Sequence, residues 1–85
     1  MVPRYYMNLR YRGRLFADDE GDELPDDAAA RALAVAMARD LIATARLATI
    51  RNWFDCSFEI TNGTGRLVAE LSFLEARESR EEAAG

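Results

Sequence analysis

The sequence predicts an α+β domain in which two β-hairpins are joined by one long helix. Three observations indicate this order: an alternating aromatic segment near the start, a long Ala-rich segment without Gly or Pro, and a second alternating segment that contains an Asn-Gly turn. The 85 residues fall within the range of one domain. The hydrophobic content of 49% is sufficient for a folded core, so global disorder is not expected.

The first hairpin is predicted from residues 4–17. Residues 4–11 alternate in character, and one face of the resulting strand carries Tyr5, Met7, Leu9 and Tyr11. A period of two in aromatic-rich sequence is typical of a strand. Arg12-Gly13 is expected to form a turn and residues 14–17 a short second strand, followed by an acidic loop at 18–23.

The longest predicted element is a helix that starts after Asp26 and continues to about Ala48. Asp26 is the expected N-cap, because its carboxylate can accept hydrogen bonds from free N–H groups of the first turn. The segment is dominated by good helix formers. Its apolar residues recur at three- and four-residue spacing and form one stripe: Ala30, Leu33, Ala34, Met37, Leu41, Ala45 and Ala48.

The second hairpin is predicted from residues 53–73. Residues 53–61 alternate as a third strand, and Asn62-Gly63-Thr64-Gly65 is a strong turn signal. Residues 66–73 form the fourth strand, whose inward side chains are expected to be Leu67, Ala69, Leu71 and Phe73. Residues 75–85 carry almost nothing to bury, so they are expected to be a frayed helix or a flexible acidic tail after a single domain at 1–74.

These elements predict a ββαββ fold with a four-stranded antiparallel sheet and the helix packed on one face. A right-handed crossover that passes over the first strand gives the strand order 2-1-3-4. The order 1-2-4-3 is the alternative.

The order of aromatic, acidic and glycine residues resembles that of short alphaproteobacterial proteins catalogued only as a domain of unknown function. The matching features, in order, are Arg4-Tyr5-Tyr6-Met7-Asn8-Leu9, Gly13, Asp18-Asp19-Glu20-Gly21, Leu24, Trp53, Phe58-Glu59-Ile60-Thr61 and Gly65-Arg66-Leu67-Val68. The resemblance covers residues 3–74. It implies a bacterial protein with this fold, and it implies no activity.

The composition argues against an enzyme. The sequence contains no His, which is the commonest general base. The single Cys56 lies in the inward set of the third strand, where burial would disfavour its thiolate, and it excludes an internal disulfide framework. We therefore predict no catalytic residue, no cofactor and no metal site. No segment approaches the roughly 20 apolar residues of a membrane helix, so no membrane association and a cytoplasmic location are expected.

The acidic stretch at residues 18–27 holds seven carboxylates. Such a cluster could bind a hard cation, but Gly21 stands fourth from Asp18, whereas the EF-hand loop needs Gly at its sixth position. The preferred interpretation is a solvated loop that caps the helix and pairs with the Arg-rich first hairpin. A weak cation site is the alternative.

The predicted function is association with another protein, either a partner or a second copy in a homodimer, through the sheet face opposite the helix. Aromatic and Arg residues are enriched in such interfaces. The predicted partner-binding residues are Arg4, Tyr6, Arg10, Trp53 and Val68. The alternative is a nucleic-acid-binding accessory protein that uses the Arg/Tyr-rich hairpin. The net charge of −4 and the lack of an RNA-recognition motif weigh against that alternative.

Overall fold

A computed structural model describes residues 2–44 and 55–78 of the chain. Its elements, in chain order, are β1 (Arg4–Tyr11), β2 (Arg14–Phe16), β3 (Asp22–Glu23), α1 (Asp27–Ala43), β4 (Cys56–Asn62), β5 (Leu67–Ser72) and α2 (Phe73–Glu78). All strand pairs are antiparallel. The α+β class with an antiparallel sheet is therefore confirmed.

Strand β1 is central to the sheet. It pairs with β4 on one side, and on the other side it pairs with β2 at its C-terminal end and with β3 at its N-terminal end. The main path is β2-β1-β4-β5, and β3 lies off this path. The predicted count of four strands is wrong, because the acidic loop contains the two-residue β3, which pairing with β1 defines and local alternation does not predict.

The inserted strand also changes the predicted strand order in detail. After β3 is counted, the third and fourth strands of the predicted order 2-1-3-4 become β4 and β5. The alternative order 1-2-4-3 is wrong, because the strand that pairs with β1 opposite β2 is β4.

The core lies between one face of the sheet and the two helices. Side chains at alternate positions of β1 and β4 meet small residues of α1, which allow the helix to approach the sheet closely. The buried residues are Tyr5, Met7, Ala30, Ala34, Val35, Ala38, Cys56, Phe58, Ile60, Leu71, Phe73 and Ala76. Burial of this apolar surface is the main driving force for folding.

Helix α1 starts at its predicted cap but ends earlier than predicted. The Asp26 carboxylate accepts a hydrogen bond of 2.8 Å from the Ala29 N–H. The helix ends at Ala43, and the Thr44 hydroxyl donates back to the carbonyl oxygens of Asp40 and Leu41, both at 3.2 Å. This local hydrogen bonding competes with helix continuation at a β-branched residue. Two residues of the predicted stripe, Ala45 and Ala48, lie outside the described residues.

Strand β5 contains a β-bulge that sequence alternation does not predict. Ile60 pairs with Ala69 and Thr61 with Leu67, so Val68 is an extra residue without a partner position. On the N-terminal side of the bulge, the β5 side chains point to the faces opposite to those that simple alternation predicts. Leu67, expected to point inward, instead shares the face of Thr61 and is 52% exposed. Val68 packs against the core.

The chain continues directly from β5 into α2, which packs against α1. Phe73 is fully buried, and its ring centroid lies 5.2 Å from that of Phe58. Arg39 of α1 donates to the carbonyl oxygens of Ala76 at 2.8 Å and Arg77 at 3.1 Å. The predicted domain boundary at residue 74 therefore falls within α2. The remainder of the predicted tail, residues 79–85, lies outside the described residues.

We predict that Phe73→Ala lowers the free energy of unfolding by about 3–5 kcal/mol, because it leaves a cavity beneath α2. The matched control is Leu74→Ala at the neighbouring position, where the side chain is 44% exposed; it should change the free energy of unfolding by less than about 0.5 kcal/mol. Urea unfolding measures both values. Equal effects of the two substitutions would contradict the packing of α2 described here.

Candidate functional site

The face of the sheet opposite α1, here called the far face, is mostly polar. The strand registers give its residues as Arg4, Tyr6, Asn8, Arg10, Leu15, Glu23, Ser57, Glu59, Thr61, Leu67, Glu70 and Ser72. The central positions are polar or charged, and the exposed aliphatic residues Leu15 and Leu67 lie on the two outermost strands. The far face is thus a polar surface with apolar margins.

The predicted aromatic and aliphatic cluster is not assembled on the far face. Tyr6 lies there, but it is half-buried against the acidic loop: a Cβ added to Gly21 would stand 2.8 Å from the Tyr6 ring carbon Cε1. Val68 lies on the opposite face, because the bulge turns it toward the core. Its predicted far-face position is wrong. Trp53 lies outside the described residues.

The two arginines predicted at the rim of the interface are engaged within the chain. Arg4 donates to the Glu20 carbonyl oxygen at 2.6 Å and to the Glu23 carboxylate at 3.2 Å. Arg10 forms a hydrogen-bonded ion pair with Glu59, and this contact raises the pKa of Arg10. Both guanidinium groups are therefore already bonded to other parts of the chain, Arg4 to the acidic loop and β3, and Arg10 to β4.

Asp18 fastens the acidic loop to the edge of β1, between β2 and β3. Its carboxylate accepts hydrogen bonds from the backbone N–H groups of Met7, Glu20 and Gly21, each 3.1 Å long. Burial alone would raise the pKa of Asp18, but these three hydrogen bonds outweigh burial and hold the pKa below its usual value. Asp18 thereby satisfies a β1 backbone group that no strand pairs.

Asn8 joins the acidic loop to β4. Its side-chain oxygen accepts from the Asp18 N–H at 2.9 Å, and its Nδ2 donates to the Glu59 carbonyl at 3.0 Å and to the Thr61 hydroxyl at 3.1 Å. The sequence pattern does not predict these contacts of Asn8. Its residue type is a signal for them, because Asn is depleted in strand interiors and an Asn found there needs a reason.

Two other titratable residues near the sheet, Tyr5 and Cys56, belong to the core. Tyr5 donates its hydroxyl to Asp27 at 2.7 Å, and this hydrogen bond, with burial, raises the pKa of Tyr5. Burial, together with the charge of Asp55, raises the pKa of the Cys56 thiol, which disfavours a reactive thiolate. Within residues 2–44 and 55–78, no three Asp, Glu or Cys side chains are grouped so that they could hold a metal ion.

Among the described residues, most of the large exposed hydrophobic side chains belong to β2, to β5 or to the start of α2, and Val2 before β1 is the exception. Leu15 and Phe16 belong to β2 and are 48% and 49% exposed. Leu67 belongs to β5, and Leu74 is the second residue of α2 after β5 ends. Because β2 and β5 end the main strand path, each presents an outer side that no strand pairs in the described part of the chain. These edges are the candidate site.

We predict that Asp18→Asn lowers the free energy of unfolding at neutral pH by about 1–3 kcal/mol, because the ionised carboxylate is the better hydrogen-bond acceptor. The folded pKa lies below the ordinary value of about 3.9. The stabilisation is therefore complete well above that value and is lost as the pH falls through the folded pKa.

Urea unfolding of both proteins between neutral and acidic pH measures this difference, which should shrink on acidification. The matched control is Asp19→Asn, at an exposed neighbour whose carboxylate makes no hydrogen bond to the described residues. A difference that is independent of pH, or an equal cost of Asp19→Asn, would contradict the role assigned to Asp18.

Comparison with known proteins identifies the family. No curated protein and no solved structure matches the chain. No helix in the described ranges has the length and apolar character needed to cross a membrane. The model of a domain of unknown function, DUF6894, matches residues 4–74, which cover β1 to β5 and the start of α2. The chain therefore belongs to the DUF6894 family.

Proposed function

We propose that this protein is a non-enzymatic association domain that binds another polypeptide through the edges of its sheet. The observation that carries the proposal is the position of the exposed apolar residues. Leu15 and Phe16 lie on one edge strand, and Leu67 lies on the other. Burial of such side chains supplies a driving force for association.

The main chain of an edge strand supplies hydrogen bonds that add to the affinity. An unpaired edge presents N–H and C=O groups that can pair with a strand of another chain, which is a recurrent mode of protein recognition. The two edges differ in how readily they can pair with another strand. Strand β5 carries the exposed Glu70 and the bulge at Val68, both of which discourage edge pairing. Strand β2 has no bulge, and its one charged residue, Arg14, lies at the end of the strand next to the turn.

The edges are a better surface for association than the centre of the far face. Asn8, Arg10 and Glu59 occupy that centre and use their polar groups within the chain. A partner seated there would have to replace these hydrogen bonds. The exposed aliphatic side chains of the far face, Leu15 and Leu67, are margin residues, so even contacts across the far face would begin at the edges.

The absence of an evident reactive group supports a role without catalysis. The sequence has no His, and the single Cys56 is 1% exposed with a raised pKa. The proposed role therefore depends on surface complementarity and backbone pairing.

Nucleic-acid binding remains the alternative, and three guanidinium groups of the first hairpin bear on it. Arg4 and Arg10 are bonded to carboxylates, and Arg12 lies 3.6 Å from the Asp55 carboxylate. These pairs reduce the positive charge available to phosphates. We predict no retardation of single-stranded RNA or DNA in gels at low salt. Retardation that weakens steeply as salt is added would favour the alternative.

Site-specific photo-crosslinking in the native host tests the association role. A photoreactive phenylalanine derivative replaces Leu15 on one edge or Leu67 on the other, and Ala36 on the exposed side of α1 serves as the matched control position. We expect a discrete adduct from at least one edge position and none from Ala36. Adducts absent from both edges, or equally abundant at Ala36, would contradict the proposal.

A further inference from the structure

We propose that the β2 edge binds the β2 edge of a second copy of this chain. The two sheets then join as antiparallel neighbours around a two-fold axis that passes by Leu15. This inference rests on the proposed function and specifies the occupant of one edge. Four features of the described residues support it: the main-chain orientation of β2, its side chains, the charges on both sides of it, and the contrast with β5.

The hairpin geometry orients the main chain of Leu15 outward. Arg12 and Gly13 have φ values of 52° and 79°, as in the two-residue turns that suit a tight hairpin. Tyr11 and Arg14 flank this turn and form its hydrogen-bonded pair. Hydrogen-bonded and non-bonded pairs alternate along the ladder, so the N–H and C=O of Leu15 point to the open edge. Two copies of Leu15 can therefore exchange both bonds across a two-fold axis.

The side chains of β2 are self-complementary in this register. Leu15 opposes Leu15 of the second copy on the far face, and each side chain is 48% exposed in the single chain. On the helix side, Arg14 opposes Phe16 of the second copy, and this contact occurs twice. A guanidinium group against an aromatic ring is favourable, and the pairing covers the half-exposed Phe16 ring. No like-charged residues face each other within the paired strands.

The start of β2 and the segment that follows its end carry opposite charges. Arg12 and Arg14 lie at its start, whereas Asp18, Asp19 and Glu20 follow its end. Antiparallel pairing places the basic start of one β2 beside the acidic continuation of the other, at both ends of the interface. The side chains of Arg14 and Asp19 make no hydrogen bond or ion pair with the described residues, so both charges are available to a second copy.

The β5 edge lacks this self-complementarity. A two-fold axis at Glu70 would place the Glu70 carboxylates of the two copies directly opposite each other. Each Glu70 already stands opposite Glu59 within its own sheet, so four carboxylates would lie close together. Like charges in directly opposed positions destabilise a sheet. An axis at Ala69 would oppose Val68 to Glu70, although the bulge has turned Val68 toward the core. The edge that fits a second copy is therefore β2.

Because β2 has three residues, the interface is small. Stable dimers usually bury about 800 Å² on each partner. We therefore expect a dimer that dissociates on dilution and weakens with added salt, because its outer contacts are exposed charge pairs.

Sedimentation equilibrium of the full chain tests the arrangement. The mass of the wild-type protein should rise with concentration. Arg14→Glu and Asp19→Arg should each reduce this rise, because each substitution weakens the attraction between the basic start of one β2 and the acidic continuation of the other at both ends of the interface. A mixture of the two variants should restore the dimer, since the two substituted residues then lie at the same end of the interface with opposite charges. Far-UV circular dichroism of each variant establishes that it is folded.

A wild-type mass that stays monomeric at every concentration would overturn the inference, as would a mixture that fails to associate. A second readout uses a short bismaleimide crosslinker, to which the native Cys56 is inaccessible because it is buried. Leu15→Cys should give covalent dimers, and the matched control Leu67→Cys should not. Dimers from Leu67→Cys alone would overturn the choice of edge.

The two proposals fail in different ways. If the purified chain is monomeric but a photoreactive group at position 15 captures a different protein, the second copy is excluded and the association role stands. If neither edge captures any protein and the chain is monomeric, both proposals are contradicted.

Discussion

The Asp18 carboxylate organises one side of the sheet, because it accepts a hydrogen bond from the Met7 N–H of β1 and two from the Glu20 and Gly21 N–H groups of the acidic loop. These bonds hold the acidic loop against Met7 and place β3 beside the start of β1. Through Asn8, the same network reaches β4, so the loop, the central strand and its neighbour are fixed together. The edge of β1 is thereby closed, whereas the chain leaves β2 immediately after Phe16 and its outer side stays open. An anionic acceptor that bonds three N–H groups is well suited to this role.

This constraint links the charge pattern of the sequence to its proposed use. Part of the basic and acidic stretches is neutralised within the chain, through Arg4 with Glu23 and Arg10 with Glu59. Arg14 and Asp19 lie on either side of β2 and are not engaged in this way within the described residues. The internal pairs hold the loop and the sheet, and the remaining opposite charges give the β2 edge a polarity that an antiparallel copy would match.

Local sequence signals predicted the elements whose causes are local. Alternation gave β1 and β4, and the Asp26 side chain marked the start of α1. The features that were missed depend on distant contacts. The bulge at Val68 follows from the register between β4 and β5, and α2 is held by Arg39 from another helix. The predicted far-face position of Val68 is wrong for the same reason, since one extra residue in a strand moves a side chain to the other face.

The central claim is that the edge of β1 is closed by Asp18 whereas the edge of β2 is open to a second copy. Amide hydrogen exchange, followed by NMR at low and high protein concentration, tests both halves together. We expect the Met7 amide to be protected at every concentration and the protection of the Leu15 amide to increase as the protein is concentrated. A Leu15 amide whose exchange does not depend on concentration, or a Met7 amide that exchanges freely, would contradict this claim.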